Sequence, residues 1–355
     1  MCQLLGMNCN VPTDICFSFT GFQARGGATD VHSDGWGIAF FEGRGTRVFL
    51  DPKPSCTSPV AELVRQYPIR SKNVIAHIRK ATQGVIGLEN THPFMREQWG
   101  RYWIFAHNGN LIDFAPELDG SFVPVGLTDS ERAFCWLLQR LRQRFGRTAP
   151  ESGELFAAVH ELTLEIARYG EFNFLLSNGD WLFAHASTRL AYIIRQAPFA
   201  QAHLKDQDVT VDFSDVTSPD DRVAVIATLP LTDNEAWAVM PAGTLIRFIT
   251  GSGGGYGDAV KDFEFDLNGQ IYRSLIVIDV DARKQEAYLY RKEGEDWVTM
   301  PGIDGKVNTY DKAVEDLVGS PQLFFTSIFR CQNARALAEY SKGDIKALFV
   351  ELLNI

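Results

Sequence analysis

The chain opens with "MCQLLG", residues 1–6: a cysteine directly behind the initiator methionine, then a short apolar run. Two readings compete. Either Cys2 is a small residue that starts a strand, or it is a nucleophile exposed when Met1 is removed. Met1 precedes a small residue, a context that favours its removal by an aminopeptidase. The α-amine so freed has a pKa of about 7.7–8.0, and can serve as a base beside its own side chain. By itself a second-position cysteine is usually inert, so the choice rests on the rest of the chain.

Three stretches downstream carry side chains that the second reading needs. "AHIRKAT", residues 76–82, reads as a strand ending at Arg79. A guanidinium there is either a plain surface charge or a bidentate partner for a carboxylate. "FAHNGNL", residues 105–111, contains Asn108-Gly109. Asn-Gly is a familiar hairpin turn. Alternatively, the Asn108 amide and the Gly109 N–H supply the two donors of an oxyanion hole. "LTDSE", residues 127–131, opens a helix with a capping box, Thr128 as N-cap and Glu131 at the third position. Asp129 is then a first-turn acid, or the acceptor of a substrate ammonium.

Composition limits the setting. The chain has 355 residues, enough for two domains, and is 45% apolar, 22% charged and 12% aromatic. A net charge of −10 argues against nucleic acid or an anionic membrane as partner, since both need clustered Lys and Arg. No apolar run approaches the roughly 20 residues of a membrane span, and no signal-peptide pattern opens the chain, so a cytoplasmic protein is expected. The six cysteines form no C-x-x-C pair. The even spacing of Cys2, Cys9 and Cys16 lacks the partner set of a metal site, so no metal is expected.

"GSGGGYG", residues 251–257, reads as a flexible Gly/Ser linker between residues 2–250 and a small α+β unit, 258–355. Before it, many short runs such as "GWGIAFFEG", "NVIAHI", "RYWIFAH" and "FNFLLS" read as strands, with "SNGD" as a hairpin turn. Two amphipathic helices lie in the middle: one carries Phe134, Leu137, Leu138, Leu141 and Phe145, the other Leu155, Val159, Leu162 and Ile166. Such a mixture suggests helices covering the outer faces of packed sheets. After the linker, "FEFDLNGQIY", "SLIVIDVD" and "AYLYRKEG" read as strands and "ARALAEYSKGDIKALFVELL" as a helix. No chemical constellation is visible there. His77 and His107 flank proposed site residues, but strand alternation points them the other way, so both are read as structural. Asp34, Trp36 and Gly37 in "HSDGWG" are read as hairpin entry and core.

Taken in order, Cys2, "AHIRKAT", "ENTHPF", "AHNGN" and "TDSE" resemble the glutaminase domain of the class II, N-terminal nucleophile, glutamine amidotransferases. "NVPTDICFSF", "HSDGWGI", "VGLTDSERAFCWLL" and "PLTDNEAW" resemble its small stand-alone, YafJ-like branch. The resemblance covers about residues 2–250 and stops at the linker. It implies a four-layer αββα sandwich. It also implies Cys2 as nucleophile with its α-amine as base, and Asn108 and Gly109 as oxyanion donors. Arg79 would hold the α-carboxylate of glutamine, Asp129 its α-ammonium, and Thr82 and His92 would line the pocket. His92 is equally readable as a buried, hydrogen-bonded core histidine. The family's sugar-phosphate enzymes have Trp after the Arg; here Lys80 stands, which leaves the amide substrate open. The implied reaction is cleavage of glutamine or another γ-glutamyl amide without any cofactor, with ammonia released or passed to a separate synthase. The alternatives are an amidohydrolase with no acceptor, and a silent binding module on the same fold.

Overall fold

The computed structural model describes residues 2–81, 84–253, 259–267, 269–279, 284–294 and 296–318. In chain order the first half contains β1 (Gln3–Thr13), α1 (Cys16–Ala24), β2 (Trp36–Glu42), β3 (Gly45–Asp51), α2 (Pro59–Gln66), β4 (Ser71–Ile78), β5 (Phe94–Gln98) and β6 (Arg101–Leu111). There follow α3 (Asp129–Phe145), α4 (Ser152–Ala167), β7 (Gly170–Ser177), β8 (Leu182–Ala186), β9 (Ala191–Gln196), β10 (Gln201–His203), β11 (Thr210–Asp212), β12 (Arg222–Ala227), β13 (Ala238–Val239), β14 (Thr244–Ile249) and β15 (Ser252–Gly253).

Apart from β10 and β11, which pair only with each other, these strands make two large sheets. One runs β13-β9-β12-β1-β4-β2-β3, the other β15-β14-β8-β7-β6-β5. β1 sits near the middle of the first sheet, antiparallel to both β12 and β4. Every residue of its opening run, Gln3 to Cys9, is buried, so the strand has to be covered on both faces. Alternation sorts its side chains. Leu5, Met7 and Cys9 join Phe19 and Phe22 of α1 and Ala61 and Val64 of α2. Leu4 joins Ile104, Ala106, Leu175, Leu182 and Ala184 of the opposite sheet. Gly6 also faces that sheet. A Cβ there would stand 3.1 Å from Leu175 Cδ1 and 3.3 Å from Leu182 Cδ1, so a small residue lets the sheets close up. On the far side, Phe134 of α3 stacks on Phe105 of β6, and Phe156 of α4 on Phe183 of β8, with ring centroids 5.1 and 5.2 Å apart. The order helix, sheet, sheet, helix is the four-layer α+β sandwich expected. Each fully buried aromatic contributes about 1.5–3 kcal/mol through burial.

The start of α3 matches expectation only in part. Thr128 Oγ1 accepts the Glu131 N–H at 3.2 Å, as a capping box requires. The Glu131 carboxylate, however, pairs with Arg96 at 2.6 Å and accepts the Gly126 N–H at 2.7 Å.

The linker expectation is corrected at its start. Ser252 and Gly253 pair with Ile249 and Phe248 as β15. The Gly251 N–H donates to Asn8 Oδ1 at 2.8 Å, across a left-handed turn at φ +72°. The first three residues of "GSGGGYG" therefore belong to the sandwich, and residues 254–257 lie outside those described.

The chain divides into compact units at Met1–Asp258 and Ala259–Ile355. The second holds a four-stranded antiparallel sheet, β16 (Ala259–Leu267), β17 (Gln270–Asp279), β18 (Lys284–Glu293) and β19 (Asp296–Thr299), with α5 (Val307–Val318). Tyr272, Ala287, Leu289 and Tyr310 form its small core. The helix expected in "ARALAEYSKGDIKALFVELL" lies outside the described residues. Among the described residues no helix is long and apolar enough to cross a membrane.

Candidate active site

The register of β1 fixes where Cys2 lies. Gln3 pairs with Ile78, so Cys2 falls beside the segment that leaves β4 at Arg79 and Lys80. The Lys80 N–H donates to Cys2 Sγ at 3.2 Å, and the thiol reaches the Lys80 carbonyl at 3.5 Å. Burial raises the Cys2 pKa; the Lys80 N–H and the Arg79 guanidinium pull it down, and Asp129 pushes it up. Burial wins, so the thiol is protonated at neutral pH. Such a cysteine is not a preformed thiolate and needs an adjacent base to attack.

The segment facing Cys2 is clamped by the residues before β2. The Asp34 N–H donates to the Arg79 carbonyl (3.2 Å), the Arg79 N–H to the Gly35 carbonyl (2.8 Å), and the Ala81 N–H to Asp34 Oδ2 (2.8 Å). Asp34 is thus more than hairpin entry: it holds the turn that presents Lys80 to the thiol. Arg79 is buried, against the surface-charge alternative. Its Nη1 donates to the Val85 carbonyl at 3.1 Å and Nη2 to the Gly84 carbonyl at 3.4 Å. Asn90, inside "ENTHPF", ties that loop to the helix that carries Asp129. Its Nδ2 donates to the Val85 carbonyl (3.1 Å), and its Oδ1 accepts the Leu127 N–H (2.8 Å). Nothing local to Asn90 reveals this role, because its partners are set by the fold. Thr82 lies outside the described residues.

Asn108-Gly109 is not a turn. Both residues lie inside β6, opposite Asn173 and Phe172 of β7. Here side chains take over ladder groups. The Phe172 N–H donates to Ser187 Oγ (2.8 Å), Asn173 Nδ2 donates to the Asn108 carbonyl (2.9 Å), and the Leu111 N–H donates to Asp129 Oδ2 (2.7 Å). The Asn108 amide points back to the first sheet, where its Nδ2 donates to Thr228 Oγ1 at 3.3 Å. The same oxygen accepts the Leu4 N–H at 2.9 Å. Two hydrogen bonds therefore connect Asn108 to the strand headed by Cys2.

Gly109 is required sterically. A Cβ there would lie 1.8 Å from the Glu171 carbonyl oxygen and 2.6 Å from His107 Nε2. Gly109→Ala must push β6 and β7 apart, at a cost of about 1–3 kcal/mol or more. Calorimetry is expected to show a Tm lower by several degrees, and an unchanged Tm would contradict this close approach.

Asp129 opens α3 half-buried. Its Oδ1 accepts the Ser130 N–H at 2.8 Å, and it lines a cleft of about 410 Å³ with Asn110–Ala115, Leu127 and Arg132. A carboxylate has about four acceptor sites, so these bonds leave capacity for an ammonium. Cys2 thus lies against the Lys80 backbone and within the electrostatic reach of Arg79 and Asp129, and Asn108 reaches the same strand through Thr228.

His92 is placed differently from a pocket wall. It is buried, with its ring on His77 at 4.2 Å and on Phe94 at 4.4 Å. Burial holds it well below the ordinary histidine pKa, with the like charge of His77 adding to the effect. The burial fits a core histidine, but neither ring nitrogen has a hydrogen-bond partner among the described residues, so the hydrogen-bonded core histidine of the alternative is met only in its burial. His77 and His107 are likewise buried and shifted down, His77 to about 3, chiefly by burial. His77 Nε2 meets the His107 carbonyl at 3.0 Å, and His107 bridges Ser130 Oγ (2.8 Å) and the Glu171 carbonyl (3.0 Å). These neutral rings brace β4, β6, β7 and α3 around Asn108. Cys9 and Cys16 hydrogen-bond to the Ser71 and Val64 carbonyls. Among the described residues no group of three or more His, Cys, Asp and Glu is arranged to hold a metal ion.

Two facing antiparallel sheets between helical layers, with the site at the head of an inner strand, define the N-terminal nucleophile hydrolase class of fold. Within it, this chain belongs to the class II glutamine amidotransferases, whose family model matches residues 1–262. It is 54% identical over 251 residues to the Haemophilus influenzae "Putative glutamine amidotransferase", covering 71% of this chain and 85% of that one. It is 56% identical over 242 residues to the Escherichia coli "Putative glutamine amidotransferase YafJ", covering 68% and 95%. The 2.0 Å crystal structure of a "predicted glutamine amidotransferase from Pseudomonas aeruginosa PA01" superposes with a TM-score of 0.57 at 46% identity, over 71% of this chain and 98% of that one.

Proposed function

We propose that residues 2–250 form a glutaminase in which Cys2, exposed by removal of Met1, cleaves the side-chain amide of glutamine or a related γ-glutamyl amide. The α-amine of Cys2 takes the thiol proton as Sγ attacks the amide carbon. The Asn108 amide and the Gly109 N–H stabilise the tetrahedral oxyanion. The C–N bond then breaks, and the α-amine returns the proton to the departing ammonia or amine. Water hydrolyses the γ-glutamyl thioester and restores the thiol. Arg79 holds the α-carboxylate and Asp129 the α-ammonium. His92 is assigned to packing. This chemistry needs no metal or organic cofactor. Ammonia is released or handed to a separate synthase; residues 258–355 are given no catalytic part.

The observation that carries this reading is the Cys2 thiol against the Lys80 N–H, with Asn108 tied to the same strand through Thr228. The exposed Lys80 side chain, where sugar-phosphate enzymes have Trp, keeps γ-glutamyl conjugates open as substrates. Steady-state release of ammonia or amine from glutamine and from a panel of γ-glutamyl amides tests both points. Turnover of at least one is expected, and turnover of none would overturn the proposal.

A further inference from the structure

A hydroxyl far away in sequence sits between the two halves of this machinery. Thr228, just beyond the end of β12, is 5% exposed. Its Oγ1 accepts the Leu4 N–H at 2.9 Å, and its N–H donates to the Leu4 carbonyl at 3.1 Å. It is therefore locked to β1 two residues from Cys2. The chain beyond it is also held. Arg25 donates to the carbonyls of Leu229 (2.9 Å) and Pro230 (2.6 Å), and pairs with Asp206 at 2.7 Å.

Against this fixed oxygen lies the Asn108 amide. As placed, Nδ2 donates to Thr228 Oγ1, while Oδ1 is buried with no partner among the described residues. An orphaned buried acceptor is costly, and hydrogen bonding alone distinguishes the two ends of an amide. Thr228 resolves the choice. Its oxygen already accepts the Leu4 N–H, and its hydroxyl proton remains to be given. A half-turn of the amide puts Oδ1 on that proton and leaves the Nδ2 hydrogens in the buried place Oδ1 now holds, unpaired until an oxyanion takes them.

We infer that Thr228 is the positioning residue of the oxyanion hole: its hydroxyl, fixed by Leu4, donates to Asn108 Oδ1 and so orients Nδ2 as the oxyanion donor. This rests on the glutaminase reading above. Thr228 touches no substrate and acts through Asn108.

The test compares wild type with Thr228→Val, Thr228→Ala and Thr228→Ser. Thr228→Ala guards against misfolding of the valine variant, since it leaves room for a water on the Leu4 N–H. Glutamine hydrolysis gives kcat and KM, and iodoacetamide labelling of Cys2 at fixed pH gives nucleophile access. Loss of the hydroxyl is expected to lower kcat by about 10- to 100-fold, because a misdirected group costs on that order. KM and the labelling rate should stay within about threefold, and Thr228→Ser should recover kcat to within about threefold of wild type. Unchanged kcat in the alanine or valine variant, or failure of serine to rescue, overturns the inference. A parallel fall in kcat and labelling overturns it too, since that marks a purely structural role. A wild type inactive on glutamine and on every γ-glutamyl amide of the panel overturns both this and the glutaminase reading, whereas an active wild type with unaffected variants overturns only this one.

Discussion

Cys2→Ala is expected to reduce glutamine hydrolysis by about 10⁴-fold or more, as loss of an attacking nucleophile does. Nothing else in the described site can replace it. Asp129 is bound up with the Leu111 and Ser130 N–H groups, and His77 and His92 are buried, with burial holding their pKa values below the ordinary histidine range. The thiol's hydrogen bonds run to the backbone of Lys80 and the group removed is small, so its loss leaves no buried charge. The Tm should therefore stay within about 2 °C, which for a domain of this size corresponds to less than about 1 kcal/mol. Ammonia release and calorimetry on the same preparation check the two parts. A folded variant that keeps more than a few per cent of wild-type turnover would remove Cys2 from the mechanism.

Asn108→Ala is expected to lower kcat by about 100- to 1,000-fold, the usual effect of deleting one oxyanion donor. The loss should fall on kcat, because the donor matters most once charge builds on the oxygen. The fold should tolerate the change. Asn173 grips the Asn108 carbonyl, which alanine retains, and Thr228 keeps its bonds to Leu4. Steady-state kinetics on glutamine decide the matter, and a fall of less than tenfold in kcat would take the Asn108 amide out of the oxyanion hole.

Much of the sandwich was legible because its strands and helices have strong periods. The buried run Gln3–Cys9, the "SNGD" turn between β7 and β8 and the apolar stripe of α4 all form as the pattern suggests. Where local rules failed, a tertiary partner outbid a local one. Asn108-Gly109 has the composition of a hairpin turn, but β7 on one side and Thr228 on the other hold it extended. Glu131 has the position of a capping-box acid, but a buried carboxylate gains more from the Arg96 guanidinium than from a backbone N–H. Ser252 and Gly253 have linker composition, yet β14 offers an open edge and Asn8 anchors the turn before them. In the second unit, β19 is only four residues long and offers too little pattern to read, whereas α5 does carry Tyr310, Ala313, Val314 and Leu317 at helical spacing.

The site divides in the same way. Residues that stand inside a short motif, such as Arg79 in "AHIRKAT" and Asp129 in "LTDSE", could be picked out by their chemistry. The groups that orient them could not. Thr228 lies 120 residues from Asn108, and Asn90 lies 37 residues from Leu127, so only the folded chain shows them in contact. His92 illustrates the converse: a histidine inside a family-like motif whose ring is committed to His77 and Phe94.

Attack of a chain-terminal Cys2 on a γ-carboxamide carbon can be trapped by intact-mass spectrometry of the full chain, with and without an electrophilic glutamine analogue. A protein lacking Met1 should gain one analogue adduct, mapped to Cys2 and absent from Cys2→Ala. Retained Met1 with no adduct, or an adduct on another residue, would contradict it.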